Sequence, residues 1–172
     1  MSGIIGGAGS KSGVIIPPVV GCRVQPNGSS LASSIASGDH TLGWSASHTN
    51  SAIRGCFISG ITFSAHSGSY IHDGNNTGKV TFQYSGQYWY SYDIRVENNP
   101  LAGNLRLDFN GSHMHRMHVE GWAHHPYMHA TLRGTLDVKA GDYARFYVSC
   151  QGGNIQGHAD SLNYLNLMRV QN

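Results

Sequence analysis

At 172 residues, with 23 glycines and 12% charged side chains, the chain is sized for one domain and is better suited to short strands and turns than to helices. A formal net charge of +2 with no Lys/Arg run gives no argument for nucleic acid. No apolar run approaches the ~18 residues that a membrane-spanning helix needs.

Residues 1–50 are rich in Gly and Ser, with apolar islands at Ile4-Ile5, Val14-Ile15-Ile16 and Val19-Val20. A free segment of that composition cannot bury enough surface to offset its ordering entropy. The stretch therefore reads as an extended N-terminal arm, held by the domain, by neighbouring copies or by a larger assembly. Its start lacks the basic residues and long apolar core of a signal peptide. Cys22, Cys56 and Cys150 are an odd, widely spaced set, expected as buried reduced thiols in a protein made in a cytoplasm.

Residues 51–172 are expected to form the domain proper. Turn signals recur at Ser59-Gly60, Asp73-Gly74-Asn75-Asn76, Asn98-Asn99-Pro100, Asn110-Gly111, Gly141-Asp142 and Gly152-Gly153, without helical periodicity. That pattern predicts an all-β sandwich or jelly roll of two antiparallel sheets. Within 78–96, Val80, Phe82 and Tyr84 share one face. After a hinge at Ser85-Gly86, Tyr88, Tyr90, Tyr92, Ile94 and Val96 alternate with Gln87, Trp89, Ser91, Asp93 and Arg95. The expectation is a Tyr-rich hairpin with its aromatic face buried.

Farther on, Ala144, Phe146, Val148 and Cys150 are expected in the core, with Tyr143, Arg145 and Tyr147 opposite. In 162–170 both faces are apolar: Leu162, Tyr164, Met168 and Val170 against Leu165 and Leu167. Such a strand needs a second cover, either a neighbouring subunit or a loop of its own chain. Tyr143, Arg145, Tyr147, Leu165 and Leu167 are the residues expected at a subunit interface.

The order of these segments carries a resemblance. Gly68-Ser69-Tyr70, Thr77 to Phe82, Gly86 to Tyr92, Leu105 to Gly111, Gly134 to Phe146 and Ser161 to Met168 together resemble the globular head domain of complement's first component. That domain belongs to the jelly-roll superfamily shared with tumour necrosis factor. The resemblance implies a jelly roll that forms a homotrimer around a threefold axis, a heterologous interface that closes. Separately, residues 2–15, SGIIGGAGSKSGVI, resemble the N-termini of small virion proteins of tailed bacteriophages.

Eleven histidines invite a metal reading, with His113 and His115 on one strand face and His124, His125 and His129 soon after. No HExxH-type spacing or nearby cysteine accompanies them, so stacked or solvated imidazoles are expected and no metal. His113, His115, Trp122, His124, His125 and Tyr127 are instead the expected ligand or receptor surface. No nucleophile elbow, phosphate loop or paired carboxylates are evident, so no catalytic site and no cofactor are expected.

The expected function is structural, not enzymatic. The chain reads as a trimeric decoration (cement) protein on a bacteriophage virion surface, made in the host bacterial cytoplasm. Ile4, Ile5, Val14, Ile15 and Ile16 of its arm would grip the major capsid protein. It has no heptad, triple-helix or β-helix shaft of its own. The second reading is the receptor-binding head of a tail or head fibre, recognising host surface carbohydrate.

Overall fold

The computed structural model describes residues 19–26, 40–42, 44–45, 57–63, 71–72, 79–97, 102–120, 127–151, 154–155 and 163–171. In chain order these give β1 (Gly21–Pro26), β2 (His40–Leu42), β3 (Trp44–Ser45), β4 (Phe57–Ser59), β5 (Ile61–Phe63), β6 (Ile71–His72) and β7 (Lys79–Phe82). The longer strands follow: β8 (Gly86–Glu97), β9 (Ala102–Phe109), β10 (Ser112–Glu120), β11 (Tyr127–Val138) and β12 (Tyr143–Gln151), then β13 (Asn154–Ile155) and β14 (Tyr164–Gln171).

They form two antiparallel sheets. The first runs β11-β8-β14-β1-β3, with β13 on β8 and β4 on β1. The second runs β10-β9-β12-β2-β6, with β7 on β12 and β5 on β7. Strand alternation sends one side of each sheet into a shared core. Tyr88, Tyr90, Tyr92, Ile94, Leu165, Leu167, Cys22 and Val24 meet Val80, Phe82, Leu105, Leu107, Phe146 and Val148 there, all essentially solvent-free. Phe146 stands edge-on to Tyr90 and Tyr92, with centroids 5.8 and 5.4 Å away. Edge-to-face packing suits the ring quadrupoles, so a core of tyrosines gains more than area alone provides.

Three expectations change. The 78–96 stretch is two strands, but not a hairpin: β7 pairs with β12 and β5, whereas β8 pairs with β11, β14 and β13. The turn at 83–85 crosses between sheets, so Phe82 and Tyr88 face each other through the core at 4.8 Å while Tyr84 is left exposed. Next, the sandwich does not begin at Ser51. Strand β1 pairs with β14 over Gly21–Val24, and β2 pairs with β12, so part of the expected arm supplies strands to both sheets. Short apolar islands at alternate positions, Val20, Cys22 and Val24, are enough to hold a strand once a partner edge exists. Finally, Leu165 and Leu167 are 0% exposed in the core and are not available to a neighbouring subunit.

The two ends of the sandwich differ. At one end, here the base, are Val19-Val20, the turns at Gly60, 83–85, 110–111 and 139–142, and Gln171. The Asn110-Gly111 turn, with φ of 49° and 81°, closes the β9–β10 hairpin as the sequence signal predicts. Asn110 Nδ2 donates to Asp142 Oδ1 at 2.9 Å, and Tyr143 N–H donates to Asn110 Oδ1 at 2.9 Å, lacing two turns together. The strand ends flanking 98–101 and 121–126 lie at the opposite end, the tip: Glu97 opposes Tyr127, and Glu120 opposes Ala102.

The tyrosine core makes a pH prediction. Burial raises the Tyr90 phenol to about 12 and pushes Tyr88 and Tyr92 up as well. Their folded values exceed the unfolded ones, so the stability they hold is complete below pH ~10 and drains as pH rises through the folded values. Alkaline unfolding followed by tyrosinate absorbance at 295 nm is expected to be cooperative and to fall between pH ~10 and ~12. Gradual ionisation of these phenols with no loss of fold is the contrary result.

Candidate functional site

The site is built on the outer side of the first sheet. On β8, Tyr88, Tyr90, Tyr92 and Ile94 point inward, so Gln87, Trp89, Ser91, Asp93 and Arg95 point outward. Trp89 lies directly opposite Met168 of β14, which in turn lies opposite Gly21 of β1. The Arg169 N–H donates to the Val20 carbonyl at 2.8 Å, carrying the β1–β14 pairing one step beyond Gly21 towards Val19 and Val170. Trp89 is 38% exposed, Met168 44%, Val170 55% and Val19 60%. Four large apolar side chains thus lie together on the base half of an open sheet face. Singly they would be unremarkable, but clustered they mark an interaction surface.

The tip half of the same face is polar and carries a network of side-chain hydrogen bonds. The Asp93 carboxylate accepts from Ser91 Oγ at 2.6 Å and from Thr131 Oγ1 at 2.5 Å, with the Arg133 guanidinium 3.7 Å away. Arg23 lies over the Tyr164 ring at 4.5 Å, and Asn163 Oδ1 accepts the Arg95 N–H at 2.6 Å. A face with an apolar half beside a hydrogen-bonded polar half has the make-up of a protein–protein contact, with dry contact at one end and polar contact at the other.

Close backbone approach shapes this face. A Cβ on Gly21 would sit 2.1 Å from the Leu167 carbonyl oxygen, at a φ of +156°. Glycine alone lets β1 run tight against β14, and it also leaves Met168 uncovered on that side.

The residues expected at one subunit interface do not form one surface. Tyr143, Arg145 and Tyr147 project from β12 on the outer side of the second sheet, while Leu165 and Leu167 face the core between the sheets. The doubly apolar reading of the last strand holds for β14, but its uncovered side is that of Met168 and Val170. Trp89 completes that patch and was legible as the one aromatic on an otherwise polar strand face.

The expected ligand surface is also divided. His113 opposes Asp108 near the base, its Nδ1 3.5 Å from Asp108 Oδ1. His115 turns inward, and its Nδ1 is hydrogen-bonded to the Tyr90 hydroxyl. Tyr127 opposes Glu97 at the tip, the opposite end of the sandwich from His113. Trp122, His124 and His125 lie outside the described residues, as do Ile4, Ile5, Val14, Ile15 and Ile16 of the arm. Among the described residues, no three of the His, Cys, Asp or Glu side chains converge as metal ligands. Cys22 is a free thiol, and burial drives its ionisation well above the ordinary range, as expected of inert packing.

No family model matches the sequence, and no curated protein does. Solved structures do. Murine APRIL at pH 5.0 superposes with a TM-score of 0.60 at 10% identity, over 88% of this chain and 99% of that one. Eiger TNF from S. frugiperda superposes with a TM-score of 0.57 at 15% identity, over 90% of this chain and 94% of that one. The chain therefore has the jelly-roll fold of tumour necrosis factor-like proteins, as the resemblance implied.

Proposed function

We propose that the protein is a homotrimeric structural component of a bacteriophage particle, a decoration protein that binds the assembled capsid and stabilises it. The observation that carries this reading is the uncovered Trp89–Met168–Val170 patch beside the point where the N-terminal segment enters the sandwich. A closed ring of three needs two different patches on each subunit. The first is this face. The second is the flank where β10 and β11 end their sheets, with Met114 exposed at the β10 bulge. Val19, the first described residue, lies at the base, whereas Glu120 and Tyr127 end their strands at the tip, which is consistent with anchoring at one pole and an outward-facing surface at the other. The phage wording of residues 2–15 supplies the setting. Mass action supplies the mechanism, since a protein that binds only the assembled shell stabilises it.

Deleting residues 2–16 is expected to leave a folded trimer that no longer attaches to capsids. Full attachment by the deleted chain would remove the arm from the mechanism. Copy number tests location: abundance comparable to the major capsid protein means decoration, and a handful per particle means a fibre head.

A further inference from the structure

No run of Lys or Arg occurs in the sequence, yet the fold gathers them. On the outer side of the second sheet, β7 contributes Lys79, β9 contributes Arg106 and Asp108, β10 contributes Arg116, and β12 contributes Arg145. The registers put these residues side by side: Lys79 opposes Arg145, Arg145 opposes Asp108, and Arg106 opposes Arg116. Among the described residues, four cations therefore cluster around the Asp108 carboxylate, with Glu120 at the far end of β10, and His113 and His118 lie on the same side, opposite Asp108 and Asn104. This is the sheet opposite the Trp89 patch, so the face stays outward whether or not that patch is covered.

The cations are held in place. Lys79 Nζ sits 4.1 Å from the centroid of the Tyr143 ring, and the Arg145 guanidinium lies 5.6 Å from the same ring. The Arg106 guanidinium lies 4.2 Å over Tyr147 and pairs with Asp108, Nη2 to Oδ2 at 3.1 Å. Arg116 Nε donates to Asn104 Oδ1 at 3.2 Å. Stacking and hydrogen bonding remove rotamer freedom before any ligand arrives, which lowers the entropic cost of binding. Positive charge is thus presented on a flat grid, spaced ~4.8 Å across strands and ~6.8 Å along them.

We propose that this face binds an extended acidic polysaccharide, a chain with a carboxylate or sulfate on successive sugar rings. A stiff polyanion can lie across the grid and meet several cations without folding. Single-stranded nucleic acid is the poorer fit, because it needs free aromatic faces for its bases and the Tyr143 and Tyr147 rings are already covered by cations. A flexible acidic peptide is also poorer, since it must lose more chain entropy to lie flat.

The test uses the full chain, with polygalacturonate as the probe and neutral dextran, poly-glutamate and oligo-dT as comparators. Polygalacturonate is expected to bind tightest, weakening steeply as NaCl rises from about 50 to 300 mM, while dextran does not bind. Arg116→Glu, at an exposed position, and Arg145→Gln, which removes the guanidinium beside Tyr143, are each expected to weaken binding about tenfold or more. Arg133→Gln, on the other sheet, is expected to leave it unchanged. Unaltered thermal melting of Arg116→Glu separates lost contact from lost fold. The proposal is overturned if polygalacturonate fails to bind at low salt. It is overturned equally if Arg133→Gln weakens binding as much as Arg116→Glu, or if oligo-dT or poly-glutamate binds as tightly as the polysaccharide.

Discussion

Trp89→Glu is expected to yield a folded monomer, and the native chain is expected to sediment as a trimer. Trp89, Met168, Val170 and Val19 together offer the first sheet's outer face as an apolar contact. Burying a large side chain contributes about 1.5–3 kcal/mol, and a closed ring repeats each contact in every subunit. A carboxylate at the centre of that contact would be desolvated without a partner, at a cost of several kcal/mol per interface. Trp89 points away from the core, so the monomer's melting temperature should move little. Sedimentation equilibrium of native and variant chains, with a melt of each, reads both effects. A native chain that sediments as a monomer, or a Trp89→Glu chain that stays trimeric, would dismiss this face as the assembly surface.

Gly21→Ala is expected to unfold the domain or destabilise it by ~3 kcal/mol or more, since the added methyl can be accommodated only by moving backbone. Its Cβ would lie 2.1 Å from the Leu167 carbonyl oxygen, inside any tolerable contact, in a backbone conformation that side chains rarely adopt. Separating β1 from β14 would expose Cys22, Val24 and Leu167 together. Chemical denaturation measures the loss. A midpoint within the scatter of the native chain would show that β1 is dispensable and that the domain does begin near Ser51. Ala at Gly141, where a Cβ meets nothing within 4 Å, is the comparison that isolates the clash, although its φ of +92° retains some strain.

Much of this protein could be read from the chain alone. The alternation of Tyr88, Tyr90, Tyr92 and Ile94, the Asn110-Gly111 turn and the core side of β12 follow from local physics, because strand period and turn chemistry depend on near neighbours. Partner choice is not local. Nothing in 78–96 says that Phe82 and Tyr88 belong to opposite sheets, because a turn between paired strands and one that crosses the sandwich use the same residues. Nor could alternation choose which apolar side of β14 lies inside. That depended on β8 and β1 flanking it, which sent Leu165 and Leu167 inward and left Met168 beside Trp89.

The strand β1 was hidden for a related reason. Three alternating apolar residues in a Gly/Ser-rich stretch are too weak a signal by themselves, and β14's waiting edge makes them a strand. The basic face is the extreme case. Lys79, Arg106, Arg116 and Arg145 are scattered through the sequence and become neighbours only when four strands align. Residue type and spacing determined that this chain would be a tyrosine-cored β-sandwich. Which of its faces are buried, uncovered or charged was decided by long-range strand pairing, whose energy comes from contacts that do not exist until the chain has folded.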